Sequence, residues 1–130
     1  MSKTTAITKG VSVSVEVTYQ PQHSDARIPR YVFSYRVTIE NQSKTAIQLL
    51  RRNWTIFESD GTKRNVEGAG VVGEQPVIEA GETYEYTSWC PIQNKIGYMQ
   101  GTYLVKDEKS GDFFDVKIPR FQLVLPNQLN

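Results

Sequence analysis

"VSVSVEVTY", Val11 to Tyr19, places an apolar side chain at every second position: Val11, Val13, Val15, Val17 and Tyr19 fall on one side, Ser12, Ser14, Glu16 and Thr18 on the other. An extended chain sends successive side chains to opposite faces, so this period of two reads as a strand with one dry and one wet face. "YVFSYRVTIEN", Tyr31 to Asn41, repeats the pattern, with Tyr31, Phe33, Tyr35, Val37 and Ile39 facing in and Ser34, Arg36, Thr38 and Glu40 facing water. Between the two, "QPQHSDARIPR" carries Pro21 and Pro29 around a polar centre and predicts a long loop rather than a tight turn.

Working outward, the β character persists. In "AIQLLRRNWTIFES" the alternation breaks: Ile47 and Leu49 share one parity, Leu50, Trp54 and Ile56 the other, which a bulge near Leu49 to Arg52 reconciles. Asp60-Gly61 supplies a hairpin turn into a short return strand, "RNVE". Ala80-Gly81 precedes alternating Tyr84 and Tyr86, and "YMQGTYLVKD", the turn "EKSGD", "FFDVKI" and "RFQLVLP" complete the chain, with Pro119 marking a kink or an edge position. No stretch combines helical apolar spacing with a cap. The expectation is all-β, an immunoglobulin or fibronectin III-like antiparallel sandwich of about seven to nine strands. Residues 11–126 form the domain, with an N-terminal tail at 1–10 and a C-terminal tail at 127–130.

A chain of 130 residues is one domain that needs neither metal nor disulfide to fold. Its 15 Lys and Arg against 14 Asp and Glu give a formal charge of +1, which offers no overall attraction to nucleic acid or an anionic membrane. The one cysteine, Cys90, has no internal disulfide partner, and "MSKTTAITKG" lacks the apolar core of a secretory signal, so the expected compartment is the cytoplasm. No apolar run approaches the roughly 18 residues of a membrane span, and no membrane insertion is expected.

One motif points elsewhere. "EGAGVVGEQP" places Gly68, Gly70 and Gly73 at the G-x-G-x-x-G spacing of dinucleotide cradles. That cradle works because a strand feeds the turn and a helix N-terminus faces the pyrophosphate. Here Glu74, Gln75 and Pro76 lead into another strand, and no cofactor is expected. The alternatives are glycines that permit positive φ or close backbone approach in a linking loop, with Val71 and Val72 docking on the core, or a small anion nest of backbone N–H groups.

The segments "RRNWTIFESDG", "VEGAGVVGEQPVIEAGETYEYTSWCPI" and "GYMQGTYLVKDEKSGDFFDVKIPRFQLVLP" together resemble the ApaG family, from about Val11 to Pro126. The resemblance implies a fibronectin III-like sandwich, found alone in bacteria and reused as a domain in eukaryotic F-box proteins and in a DNA-polymerase-delta-interacting protein. It also implies a genetic link to cobalt and magnesium efflux. A chain without a membrane segment serves efflux only indirectly. Two positions depart from the family pattern: Asn53 stands where histidine usually precedes the tryptophan, and Trp89 where glycine usually precedes Cys-Pro.

The remaining chemistry-bearing residues are sparse. His23 and Cys90 do not make up a tetrahedral metal site, and Asp107, Glu108, Asp112 and Asp115, interrupted by Lys106 and Lys109, read as a solvated hairpin turn, so no metal site is expected. Adjacent Ser24 and Asp25 do not form a catalytic relay with His23, and Cys90 reads as a small buried hydrophobe, so no catalytic residue is assigned. Arg51-Arg52 and Lys63-Arg64 flank a hairpin near Trp54, but Glu58, Asp60 and Glu67 share the region and argue against nucleic acid. The expected role is protein recognition by a monomer or homodimer, through sheet edges and aromatic area, with Arg51, Arg52, Trp54, Trp89 and Tyr98 as contact candidates and no partner named by the sequence.

Overall fold

The computed structural model describes residues 3–126, so the tail assigned to 127–130 lies outside the described residues. Nine strands follow one another: β1 (Lys3–Thr8), β2 (Val11–Tyr19), β3 (Tyr31–Asn41), β4 (Ile47–Glu58), β5 (Lys63–Ala69), β6 (Val77–Ile78), β7 (Thr83–Ile92), β8 (Ile96–Asp107) and β9 (Phe113–Val124). They form two antiparallel sheets, β1-β2-β3-β7 and β5-β4-β8-β9, with β6 beside β4. The only helical turn among the described residues is a 3₁₀ turn at Pro21–His23, inside the predicted loop.

The alternation seen in the sequence builds the core. Val11, Val13, Val15, Phe33, Val37 and Ile39 from the first sheet are buried against Leu49, Trp54, Tyr103, Val105, Val116 and Ile118 from the second. Trp54 is the aromatic centre: its ring meets Tyr35, Tyr103 and Phe121 edge-on, at centroid distances of 5.5, 6.3 and 5.8 Å. Buried aromatics in such arrangements contribute beyond their area, by about 0.5–1.5 kcal/mol per pair.

The parity switch in β4 is real. Its register with β8 shifts between Leu49 and Arg51, so Leu50 is absorbed by a bulge and Arg52, Trp54 and Ile56 then share a face. Pro119 also sits where it was expected, on β9, an edge strand, at a second register shift between Met99 and Gly101 of β8. A proline has no N–H to give a ladder, so an irregular edge is where it is tolerated.

Two expectations need correction. Residues 3–8, read as part of a tail, form β1, paired with β2 from Lys3↔Glu16 to Thr8↔Val11. Lys9 (φ 49°) and Gly10 (φ 81°) both occupy the left-handed region, as a two-residue type I′ hairpin requires. The strand carries no apolar alternation, because its inward residues are Thr4, Ala6 and Thr8 while Ile7 is exposed. Ser12 and Ser34, both expected to face water, are buried; Gln20 Nε2 donates to the Ser34 hydroxyl at 2.9 Å where the 20–30 loop folds over the outer face of β3. Ser24 holds that loop down by donating to Gln20 O and accepting from the Val32 N–H.

Candidate functional site in the groove between two sheet edges

A sandwich of two open sheets has two lateral sides, and here they differ. On one side β9 packs on β1 and β2, and the Lys117 N–H donates to Thr8 Oγ1 across the gap. On the other side stand β5 and β7, each an outermost strand paired with a single neighbour. There the guanidinium of Arg64 reaches from β5 to donate to Pro91 O on β7 at 2.8 Å, with Cys90 Sγ at 4.0 Å. The strands themselves stay apart and leave a groove.

Arg64 and Pro91 line both of two adjacent hollows in that groove. The narrower, about 260 Å³, has a floor of Trp54, Ile56 and Met99 and walls that include Tyr35, Arg52, Ser88 and Trp89. The wider, about 410 Å³, runs past Ile28, Arg30, Glu58 and Gln93. Glu58 is buried but well provided for: its Oε1 accepts from the Gln93 and Asn94 N–H groups and from Asn94 Nδ2 at 2.8–3.1 Å.

Arg52 is placed by the glycine loop. Its Nη1 donates to Ala69 O at 3.1 Å and Gly70 O at 3.0 Å. A Cβ on Gly68 would meet the same guanidinium at 2.8 Å, so Gly68 makes room for it. The N–H groups of Gly70, Val71 and Glu74 donate to Leu50 O, Glu74 O and Val71 O respectively. Val71 and Glu74 close a two-residue turn in which Val72 (φ 47°) and Gly73 (φ 78°) are both left-handed. The loop therefore directs carbonyls at an arginine and commits these amides to the backbone, and β6, not a helix, follows it. Val71 docks in the core as expected, whereas Val72 is exposed.

The five contact candidates do not share one surface. Because neighbours in a strand point oppositely, Arg51 lies on the outer face of its sheet, beside Asn53, Glu67, Thr102 and Asp115, while Arg52, which also borders that outer hollow, lines the groove. Lys63 and Arg64 separate in the same way, Lys63 lying 5.6 Å over the Phe57 ring on the outer face. Tyr98 is on that outer face too, stacked on Phe57 at 4.6 Å with Arg120 over its ring at 4.3 Å. Trp54, at 2% exposure, is a core residue that only floors the groove. Trp89 is 51% exposed, with His23 edge-on to it at 5.3 Å. Arg52 and Trp54 thus meet in the narrow hollow, which Trp89 borders from the outward side of β7, whereas Arg51 and Tyr98 lie elsewhere. Asn53 lines a shallow outer hollow with Thr55, Gln100 and Lys117.

Tyr35, Ser88, Cys90, Arg64 and Arg30 were not singled out by the sequence as one site, since sheet order alone brings them together. Burial pushes the Cys90 thiol up to about 11, against the opposing pull of Arg64. The hydroxyls of Tyr86 and Tyr103 bond to one another in the core, and burial raises both well above the ordinary tyrosine value. Such groups stay protonated at neutral pH and serve as dipoles, not as bases. Among the described residues no three His, Cys, Asp or Glu side chains gather where they would hold a metal ion. No helix of the described residues is long and apolar enough to cross a membrane.

Comparison with known proteins gives the fold a lineage. The chain is 44% identical to Protein ApaG of Brucella canis over 123 residues, covering 95% of this chain and 94% of that protein. It is 44% identical to Protein ApaG of Anaeromyxobacter dehalogenans over 127 residues, covering 97% and 98%. The crystal structure of the putative ApaA protein from Bordetella pertussis superposes with a TM-score of 0.87 at 42% identity, over 91% of this chain and 95% of that one. With the ApaG domain matched across residues 21–107 as well, the chain belongs to the ApaG domain family.

Proposed function

We propose that this chain is a non-catalytic protein-interaction module that works in the cytoplasm and serves cobalt and magnesium efflux through a partner. The observation that carries the reading is the groove between β5 and β7, where a half-exposed Trp89 and two arginines flank a hollow with an apolar floor. Large aromatic area and arginine beside a recess are the usual composition of interaction hot spots. The groups with catalytic potential are otherwise occupied. Cys90 holds its proton, and His23 packs against Trp89 on the surface.

The test is affinity capture from the native host with the wild-type chain and with Trp89→Ala, a substitution that leaves the core intact. A specific partner retained by the wild type and lost by the variant is the expected result. Recovery of no specific partner by the folded wild type overturns the reading. Calorimetry with ATP, GTP and diadenosine tetraphosphate addresses nucleotide binding at Gly68 to Gly73. Flat titrations are expected, because the loop amides named above are spent on the backbone.

A further inference from the structure

We propose that the groove between β5 and β7 binds an extended, carboxylate-rich peptide segment, one of whose apolar side chains enters the hollow above Trp54. The proposal rests on the interaction-module reading and names the ligand class of its site.

Charge is the first argument. Arg30, Arg52 and Arg64 line the two hollows. The ion pairs among the described residues are Arg27–Asp25 and Arg36–Glu16, so none of the three groove arginines has a carboxylate within ion-pair distance there. Glu58, the acidic residue of the groove, has one carboxylate oxygen engaged by three donors. Arg52 and Arg64 are half-buried and Arg30 is exposed; a guanidinium without an anionic partner favours an incoming carboxylate, which it engages through two parallel N–H groups.

Arrangement decides between anions. The arginines are strung along the groove: Arg52 lines the narrow hollow and borders the outer one, Arg64 lines both groove hollows and Arg30 the wide one. Arg52 and Arg64 are anchored at different places, one to Gly70 O in the loop after β5 and the other to Pro91 O on β7. A single phosphate needs converging donors. A row of separated cations instead matches an extended chain, whose same-side residues recur about every 6.6–7 Å.

Shape supplies the third argument. Residues Ser88 to Gln93 of β7 and its end border the groove, a length of roughly 20 Å that accommodates about six extended residues. Trp89, Val66 and Ile28 give it exposed apolar rims. Within that segment Pro91, the penultimate residue of β7, has no N–H and its carbonyl is already taken by Arg64, so an unbroken ladder along residues 88–93 is blocked. Side chains, not an unbroken ladder, must therefore hold the peptide.

The test uses fluorescence anisotropy of a labelled, acetylated and amidated hexapeptide that alternates glutamate with phenylalanine and valine. Two companions replace every glutamate with lysine or with phosphoserine. Saturable binding of the glutamate peptide is expected, weakened about tenfold or more by Arg64→Glu and by Trp89→Ala and unchanged by Arg51→Glu on the outer face. Urea unfolding of each variant verifies that its fold is retained. Equal binding of the lysine peptide, saturation by the phosphoserine peptide alone, or indifference to both groove substitutions overturns the proposal. If no peptide binds while a native partner is still captured by Trp89→Ala and Arg64→Glu chains, the groove assignment fails and the module reading stands. If the wild type captures nothing, the module reading itself fails.

Discussion

Replacing Gly70 with alanine separates a structural glycine loop from a ligand cradle, because the structure assigns different costs to the three glycines in the absence of any ligand. At Gly70 (φ 62°) an added Cβ would lie 2.0 Å from Glu74 O and 2.8 Å from Glu74 C. Both are backbone atoms, so the turn has to open. Opening it breaks the two Val71–Glu74 backbone bonds, at 2.8 and 2.9 Å, each worth about 1 kcal/mol. It also loosens Val71, which is fully buried, at a further cost of about 1 kcal/mol or more. The left-handed conformation adds about 1 kcal/mol for an L-residue. The sum is about 3–5 kcal/mol. At Gly73 (φ 78°) a Cβ meets nothing within 4 Å, so only the conformational cost applies, and the stiffer unfolded chain offsets part of it, leaving about 0–1 kcal/mol. Urea unfolding of the wild type, Gly70→Ala and Gly73→Ala reads the difference. With a slope of about 1–3 kcal/mol per molar urea, Gly70→Ala is expected to lower the midpoint by about 1 M or more beyond Gly73→Ala. Midpoints of the two variants agreeing within about 0.3 M would refute the turn-closure reasoning.

Trp54→Ala removes the centre of the aromatic cluster and is expected to cost about 3–5 kcal/mol in the same assay, whereas Trp89→Ala, at a half-exposed site, changes stability far less. With the Cys90 thiol pushed up to about 11, a thiol-specific reagent at about pH 8 is expected to modify the native protein about a hundredfold more slowly than the unfolded chain; equal rates contradict the burial. Because Tyr86 and Tyr103 have folded values raised above 10.0, their contribution is fully present below that pH and is lost as pH rises from it toward the folded values. Tyrosinate absorbance from this pair is therefore expected to appear together with loss of β-sheet circular dichroism, and early ionisation in an intact sheet would contradict it.

The sequence made the strands legible wherever one face is dry. Val11 to Tyr19 and Tyr31 to Asn41 alternate without a break because the core demands it, and the parity switch in β4 betrayed the bulge at Leu49/Arg51. The same parity rule separates the two tryptophans. Trp54 shares its side of β4 with Ile56 and is buried, whereas Trp89 shares its side of β7 with Thr83, Glu85 and Thr87 and is exposed. Alternation alone therefore assigns the two tryptophans different roles. β1 was illegible for the complementary reason: with threonine and alanine inward and Ile7 outward, its place depends on pairing with β2 and not on a hydrophobic face of its own.

The groove was hidden because no local pattern states which strands end a sheet. Arg64 and Pro91 lie 27 positions apart and meet only because β5 and β7 are the last strands of their sheets on the same side. The glycine spacing then gains a reason. Gly68 leaves room for the Arg52 guanidinium, Gly70 lets the chain turn close beside it, and the carbonyls of Ala69 and Gly70 hold its Nη1. A motif that in another fold turns N–H groups toward an anion here presents carbonyls to a cation, and what it positions is the positive wall of the groove. The glycines and the groove are thus parts of one arrangement, so a substitution at Gly70 is expected to disturb Arg52 along with the turn, whereas one at Gly73 leaves it in place.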